Sequence, residues 1–444
     1  MGRLRRGALA GLLAAALAVP GAGEAAAFDG FGDSRADASY GRGIEFTIDL
    51  SGGAPHRLEL LLQTPGDTGW FVVPIEPSGT RARHLWDTSL GHLTPNTPVT
   101  YRWRATDEDG TTTLSSEGTI RYEDDRPELD WQRRQLGEAT VHWYGDAEAQ
   151  AIRFGELTAQ GVARSEELLG TRLAGPVDVF VYDSREDFFG ALGPGAREWT
   201  GAAAFSELRT IFMWLGGGTA AYLERAMVHE VAHIVFHDAT DNPYHEPARW
   251  VNEGIATWSE TSGADGERAI VELEARGGGL FAFDAITEQF PIGERGGRLS
   301  YAQGTTMIDL IVRDHGEAAL ARLAAAYREG ASDDEALEAA TGRTAGELEA
   351  AFFAEFDVEP PRPIEPDPIL PSNVDRPAAG EVDRGGVDPD AGPGPAGPDV
   401  DPSPTEEPAG GDTAAVLVAL VAAAVIGIGL AFGVSRRAAR RSGP

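Results

Sequence analysis

Apolar positions follow two different periods along this chain, and the change of period marks its organisation. From Phe28 to Asp125 hydrophobic and polar residues alternate, as in Ile44-Glu45-Phe46-Thr47-Ile48, Arg57-Leu58-Glu59-Leu60-Leu61 and Val99-Thr100-Tyr101-Arg102-Trp103-Arg104. A period of two puts every second side chain on one face of a strand. Turns such as Asp107-Glu108-Asp109-Gly110 separate the runs, so residues 28–125 are predicted to form a β-sandwich. Beyond Trp131 the pattern mixes. Thr140–Tyr144 and Val177–Tyr182 read as strands, Ala147–Leu169 as a helix, and Asp183-Ser184 as a helix cap. Thr210–Trp214 reads as a further strand, either at the edge of a cleft or simply in the core. Helical periodicity then dominates, at about 220–236, 248–261, 301–314, 317–329, 333–340 and 344–356. Residues 126–357 are therefore expected to be α+β, a small sheet leading into a helical lobe.

The two ends carry different signals. Arg3, Arg5 and Arg6, an apolar stretch from Ala8 to Val19 and small residues through Ala27 read as a secretory signal peptide over residues 1–27. Residues 358–412 are expected to be a disordered acidic stalk. Half of the chain's 28 prolines fall between Pro360 and Pro408, mixed with Asp, Glu and Gly, and such a composition cannot bury enough apolar surface to order itself. Thr413–Val434 contains no charge and would span about 33 Å as a helix, enough for a bilayer core. Arg436, Arg437, Arg440 and Arg441 follow, the positive-inside signature. The chain is thus expected to be a single-pass cell-membrane protein with its domains outside and a cytoplasmic tail at 435–444.

Composition removes several function classes. The net charge of −33, from 37 basic and 70 acidic residues, speaks against nucleic-acid binding. There is no cysteine, which excludes disulfides, a thiol nucleophile and a Cys-ligated zinc site. The sequence sets no oligomeric state.

The chemistry-bearing pattern is His229-Glu230-Val231-Ala232-His233, followed twenty residues later by Glu253 in Trp250-Val251-Asn252-Glu253-Gly254. On a helix, positions i and i+4 share a face, so two imidazoles there can reach one zinc ion at roughly 2.0–2.1 Å. Glu253 on the next helix would complete three protein ligands and leave one coordination position for water, the arrangement of catalytic rather than structural zinc. Glu230 adjoins the first ligand, where a general base belongs. Zinc is the implied cofactor, one ion per chain. His237 lies about 12 Å along the helix from His229 and is expected outside the ligand set. His245 and Glu246 are expected to be solvated in the loop between the helices, with a weaker reading as alternate ligands, and His315 to serve a helix C-terminus beside Asp314. Gly216-Gly217-Gly218 and Gly277-Gly278-Gly279 fit no phosphate-cradle spacing and are expected to be flexible loops.

The combination resembles the glutamate-liganded zincins, the branch holding M1-type aminopeptidases and other MA-clan metallohydrolases. The resemblance rests on His229–His233, Trp250–Ala256 and Ser300-Tyr301-Ala302-Gln303-Gly304. It implies a zincin-like metallopeptidase fold for residues 126–357, with Tyr301 donating to the oxyanion of the tetrahedral intermediate. The alternative for Tyr301, opening a helix, is simply to pack its ring. The family usually has Lys where this chain has Gln303. M1 aminopeptidases also carry a glutamate in a Gly-Ala-Met-Glu-Asn stretch that binds the substrate's amino terminus. Here the stretch is Gly201-Ala202-Ala203-Ala204-Phe205, with no acidic residue nearer than Glu207. That departure favours an endopeptidase acting on a peptide or protein. The N-terminal region looks like an immunoglobulin or fibronectin type III module, with a spacer role the simplest for it. A surface binding or adhesion protein with a silent zincin domain, or an enzyme for a non-peptide amide, are the rival readings.

Overall fold

The computed structural model describes residues 27–194, 201–261 and 263–361. The segments read as signal peptide, stalk, membrane span and tail lie outside the described residues, save Ala27 and residues 358–361. Among the described residues no helix is long and apolar enough to cross a membrane. Two compact units meet at Arg126–Pro127.

The first unit is all β. Strands β1 (Phe28–Ser39), β2 (Gly43–Gly52), β3 (Arg57–Gln63), β4 (Phe71–Ile75), β5 (Arg81–Asp87), β6 (Thr97–Thr106), β7 (Thr112–Leu114) and β8 (Gly118–Tyr122) pair antiparallel throughout. They form one sheet of order β1-β2-β5 and another of order β4-β3-β6-β7, with β8 on β6. The alternation in the sequence is what builds the core. Ile44, Phe46 and Ile48 of β2 join Leu58, Leu60 and Leu62 of β3 and Val99, Tyr101 and Trp103 of β6 in one apolar cluster. The intervening polar residues face outward, apart from Glu59, which is buried.

The second unit is α+β. Strands β9 (Gln132–Leu136) and β10 (Ala139–Trp143) lead to α1 (Glu148–Leu169). Then come β11 (Val177–Tyr182), α2 (Arg185–Leu192), β12 (Ala202–Phe205) and β13 (Thr210–Trp214). Ser184 caps α2, its hydroxyl accepting from the Asp187 N–H. The helical remainder is α3 (Ala220–Thr240), α4 (Arg249–Thr261), α5 (Asp265–Ala275), α6 (Glu294–His315), α7 (Ala318–Arg328), α8 (Asp333–Thr341) and α9 (Ala345–Glu355).

The sheet order is β12-β13-β11-β10-β9, with β10, β11 and β13 parallel and both outer strands antiparallel to their neighbours. This corrects one of the two expectations for Thr210–Trp214, which is an interior core strand and not the edge. After the turn at Ser206–Leu208 the chain pairs back on itself, so the four-residue segment Ala202–Phe205 takes the outer position. One core unites the sheet, α1 and the helical lobe. In it α1 meets α3 closely. A Cβ on Gly161 would lie 3.2 Å from Val231, and Thr158 donates to the Met227 sulfur at 3.1 Å.

A second correction concerns α6, which starts at Glu294 rather than at Tyr301. Gly296-Gly297 reads locally as a breaker. In the fold a Cβ on Gly296 would stand 2.9–3.0 Å from Pro291, so glycine is what lets the preceding loop lie against the first turn. Tyr301 therefore projects from the middle of a helix.

Candidate metal centre

The α3 helix is capped by Thr219, whose side chain accepts from the Tyr222 N–H at 3.3 Å. Met227, Val231, Ile234 and Val235 bury one side of it. The turn between carries His229 and Glu230, both only 2 % exposed, and His233 follows four residues on. The next helix, α4, presents Glu253, likewise buried. Its position is fixed by a crossing with α6 so tight that backbone meets backbone. A Cβ on Gly254 would lie 2.8 Å from the Gly304 carbonyl carbon and oxygen, and one on Gly304 would lie 2.6 Å from the Trp250 oxygen. Two glycines, one beside Glu253 and one three residues after Tyr301, thus bring these side chains to the same place.

His229 Nε2 and His233 Nε2 are 3.1 Å apart, and Glu253 Oε2 stands 3.6 Å from the first and 3.4 Å from the second. Three ligands held at about 2.0–2.1 Å around a tetrahedral ion would be separated by roughly 3.3 Å. The observed triangle has that size. Its chemistry points the same way. His229 Nδ1 is 3.0 Å from Glu260 Oε1, and His233 Nδ1 is 2.8 Å from Asn252 Oδ1. Both partners are acceptors, so both Nδ1 atoms carry the hydrogen and both Nε2 atoms present lone pairs. Glu253 Oε2, buried and without a hydrogen-bond partner among the described residues, adds a third. Three electron pairs converging in a buried space repel unless a positive centre lies between them. The residues fit a zinc ion. Among the described residues, His229, His233 and Glu253 are the three such side chains close enough together to share one.

The electrostatics report the same demand. Burial opposes a charge on His229, yet Glu253 and Glu260 outweigh it and draw the imidazole pKa up to about 10. Burial pushes Glu253 up, and the two histidines and Arg249 overcome it, holding the carboxyl well below its usual range. Glu230 moves the other way. Burial, opposed by the histidines, raises its pKa above the ordinary carboxylate value. Its Oε2 accepts from the Ala204 N–H of edge strand β12 at 2.7 Å, and its Oε1 is buried with no partner among the described residues. A carboxylate with one oxygen anchored, the other free and a raised pKa is suited to proton transfer.

Tyr301 lies beside this group, its ring centroid 6.3 Å from that of His229 and its hydroxyl buried without a hydrogen-bond partner among the described residues. Burial and the negative charge of Glu253 keep the phenol protonated by raising its pKa. Gln303 has a different task. Its amide accepts from the Phe281 N–H and donates to the Phe281 carbonyl, each at 2.9 Å, fastening the loop that precedes α6.

The other sequence candidates fall outside the centre. His237 sits in the last turn of α3, where its carbonyl accepts from the Asp241 N–H at 2.8 Å. His245, expected in solvent, instead stacks on Tyr327 at 6.1 Å with Nε2 3.3 Å from Asp333 Oδ1. Its neighbours come from α7 and α8, which no local pattern announces. Sequence reasoning missed Asn252, Glu260, Arg249 and the Ala204 amide. Glu260 had a usable signal, since seven residues after Glu253 is two helical turns on the same face.

Residues 157–356 match the family model described as Peptidase MA superfamily. No curated protein sequence matches. Among solved structures, an M1 zinc metallopeptidase mutant from Deinococcus radiodurans bound to a Tyr-Ser-Ala substrate is 15% identical with a TM-score of 0.34, covering 77% of this chain and 95% of that one. The M1 zinc metallopeptidase from Deinococcus radiodurans gives 15% identity and a TM-score of 0.31, covering 74% of this chain and 92% of that one. A Br derivative of BhCBM56 is 11% identical with a TM-score of 0.14, covering 20% of this chain and 99% of that one. The family match supports a zincin-type zinc peptidase in general terms.

Proposed function

We propose that this chain is a zinc-dependent endopeptidase, one ion per chain, tethered to a membrane and acting outside the cell. The observation that carries the catalytic part is the lone-pair triangle of His229, His233 and Glu253 with the free Oε1 of Glu230 buried beside it. Bound zinc would supply Lewis acidity, drawing the pKa of a water toward 7.

The chain's own residues do the rest. An extended peptide can pair with β12, which among the described strands pairs only with β13. Water attacking the scissile carbonyl gives its proton to Glu230 Oε1, held in place through the Ala204 amide on the other oxygen. The C–N bond breaks as Glu230 returns that proton to the departing amine. The Tyr301 phenol donates to the developing oxyanion. No carboxylate in Ala202–Phe205 waits for a free amino terminus, which supports internal cleavage.

The tether rests on the sequence of residues 1–27 and 413–441, and the N-terminal unit is read as an immunoglobulin-like spacer from its two antiparallel sheets. Protease accessibility of the N-terminal units on intact cells tests the orientation. For the chemistry, Glu230→Gln should keep full zinc content and lose at least about a thousandfold in peptide hydrolysis. A peptide-library digest read by mass spectrometry, with and without chelator, checks both points, and retained turnover in that variant removes Glu230 from its role.

A further inference from the structure

Arg249 stands out from the other arginines of the second unit. Arg313 donates to Asp309 and to both Glu355 oxygens at 2.9–3.0 Å, Arg268 to Glu355 at 2.7 Å, and Arg153 to Glu224 at 2.9 Å. The Arg249 side chain, only 17% exposed, makes one hydrogen bond among the described residues, a long one of 3.4 Å to Glu253 Oε1. Its Nε is buried without a partner. A guanidinium has five N–H donors, and leaving them unmet in a buried setting is costly.

The fold nevertheless holds this group firmly. The Arg249 N–H donates to the Thr287 carbonyl at 2.7 Å, and the guanidinium lies 5.2 Å over the Phe290 ring. Phe290 in turn meets Tyr301 edge-on at 5.3 Å. A contact of that kind holds the guanidinium over the ring without using its N–H donors. The Glu253 oxygen it touches is the one turned away from the histidines, whose other oxygen completes the triangle. The vacant donors therefore stand one side chain away from where a scissile carbonyl would sit. A planar fork of that kind matches a carboxylate.

We propose that Arg249 receives a carboxylate of the substrate within one or two residues of the cleaved bond. This rests on the peptidase reading and adds a substrate class to it, peptides bearing an acidic group at that place. The carboxylate can be the peptide's own C-terminus or an Asp or Glu side chain. The chain as a whole carries a net charge of −33, so long-range attraction cannot produce such a preference.

The test measures equilibrium binding to the full-length Glu230→Gln chain, zinc-loaded and metal-free. Two peptide pairs serve as probes, one differing as C-terminal acid against amide and one as internal Asp against Asn. The expected result is a carboxylate preference of at least about tenfold in one pair, which also identifies the source. Compared at saturating zinc, Arg249→Gln should level that pair while leaving the affinity for the amide member unchanged. Should Arg249→Gln not fold, Arg249→Lys carries the test, with the preference cut at least about threefold through loss of the planar fork.

Equal affinities in the parent overturn the proposal. So does a preference that survives in Arg249→Gln, or an equal weakening of both members with zinc loss, which would reduce Arg249 to holding Glu253. A parent that prefers carboxylates while the unsubstituted chain cleaves neither pair would defeat the peptidase reading alone.

Discussion

Glu59 and Glu253 are both buried glutamates, one in each unit, and they are buried for opposite reasons. Glu59 is flanked by the guanidiniums of Arg104, which donates to it at 2.6 Å, and Arg57. A guanidinium stands beside each of its two oxygens, so its charge is answered locally. Glu253 is only partly answered, by a long contact from Arg249, and its Oε2 faces two imidazole lone pairs. Asp124 repeats the first pattern, with Arg126 donating to both oxygens at 2.7–2.8 Å. Glu230 repeats the second. A buried charge with its partners in place supports a fold, whereas one with an orphaned atom aimed at a shared point marks a site.

The contrast can be broken most forcefully at Glu253. Glu253→Ala should lower zinc affinity by more than the hundredfold typical of losing an outer partner, read by competition with a chelator. Zinc held as tightly as before would show that the triangle is not the ligand set. Tyr301→Phe comes next. It should reduce kcat about a hundredfold with zinc content intact, and an unchanged kcat returns the ring to packing. Glu260→Gln should cost about 10- to 100-fold in metal affinity by loosening the His229 ring, while the far-ultraviolet spectrum stays the same.

The smallest effect belongs to Glu59→Gln, which should leave zinc binding untouched and cost about 1–3 kcal/mol of stability in denaturant unfolding. Its pH dependence sharpens the difference. The Arg104 hydrogen bond, against burial, holds the Glu59 pKa below its usual value. A pKa lowered by folding contributes stability that is present above the unfolded value and is lost as pH falls through the folded one. The substitution should therefore flatten the acid side of the stability profile.

What the sequence disclosed follows from how far each signal reaches. His229, Glu230 and His233 are legible because helical spacing alone sets their relations, and β2, β3 and β6 because alternation does. Glu253 is legible as a residue but is brought to the histidines by the crossing of α4 and α6. The Ser184 cap is equally local. Edge strand β12 escaped because Ala202-Ala203-Ala204 carries no period at all and its place depends on the turn after it. The start of α6 escaped because Gly296 looks like a breaker until Pro291 is seen against it. Arg249 and Asn252 were visible as letters, but their partners, Phe290 and His233, are brought in by other elements.

The anchor of Glu230 has a further consequence. Its donor is the amide of Ala204, part of the chain's own thread and not of any side chain. Ordinary substitution at that position leaves the donor intact, and only an imino acid would delete it. The aim of the proposed proton acceptor is thus set by the hairpin itself, and the grip on the carboxylate does not depend on which side chain stands at position 204.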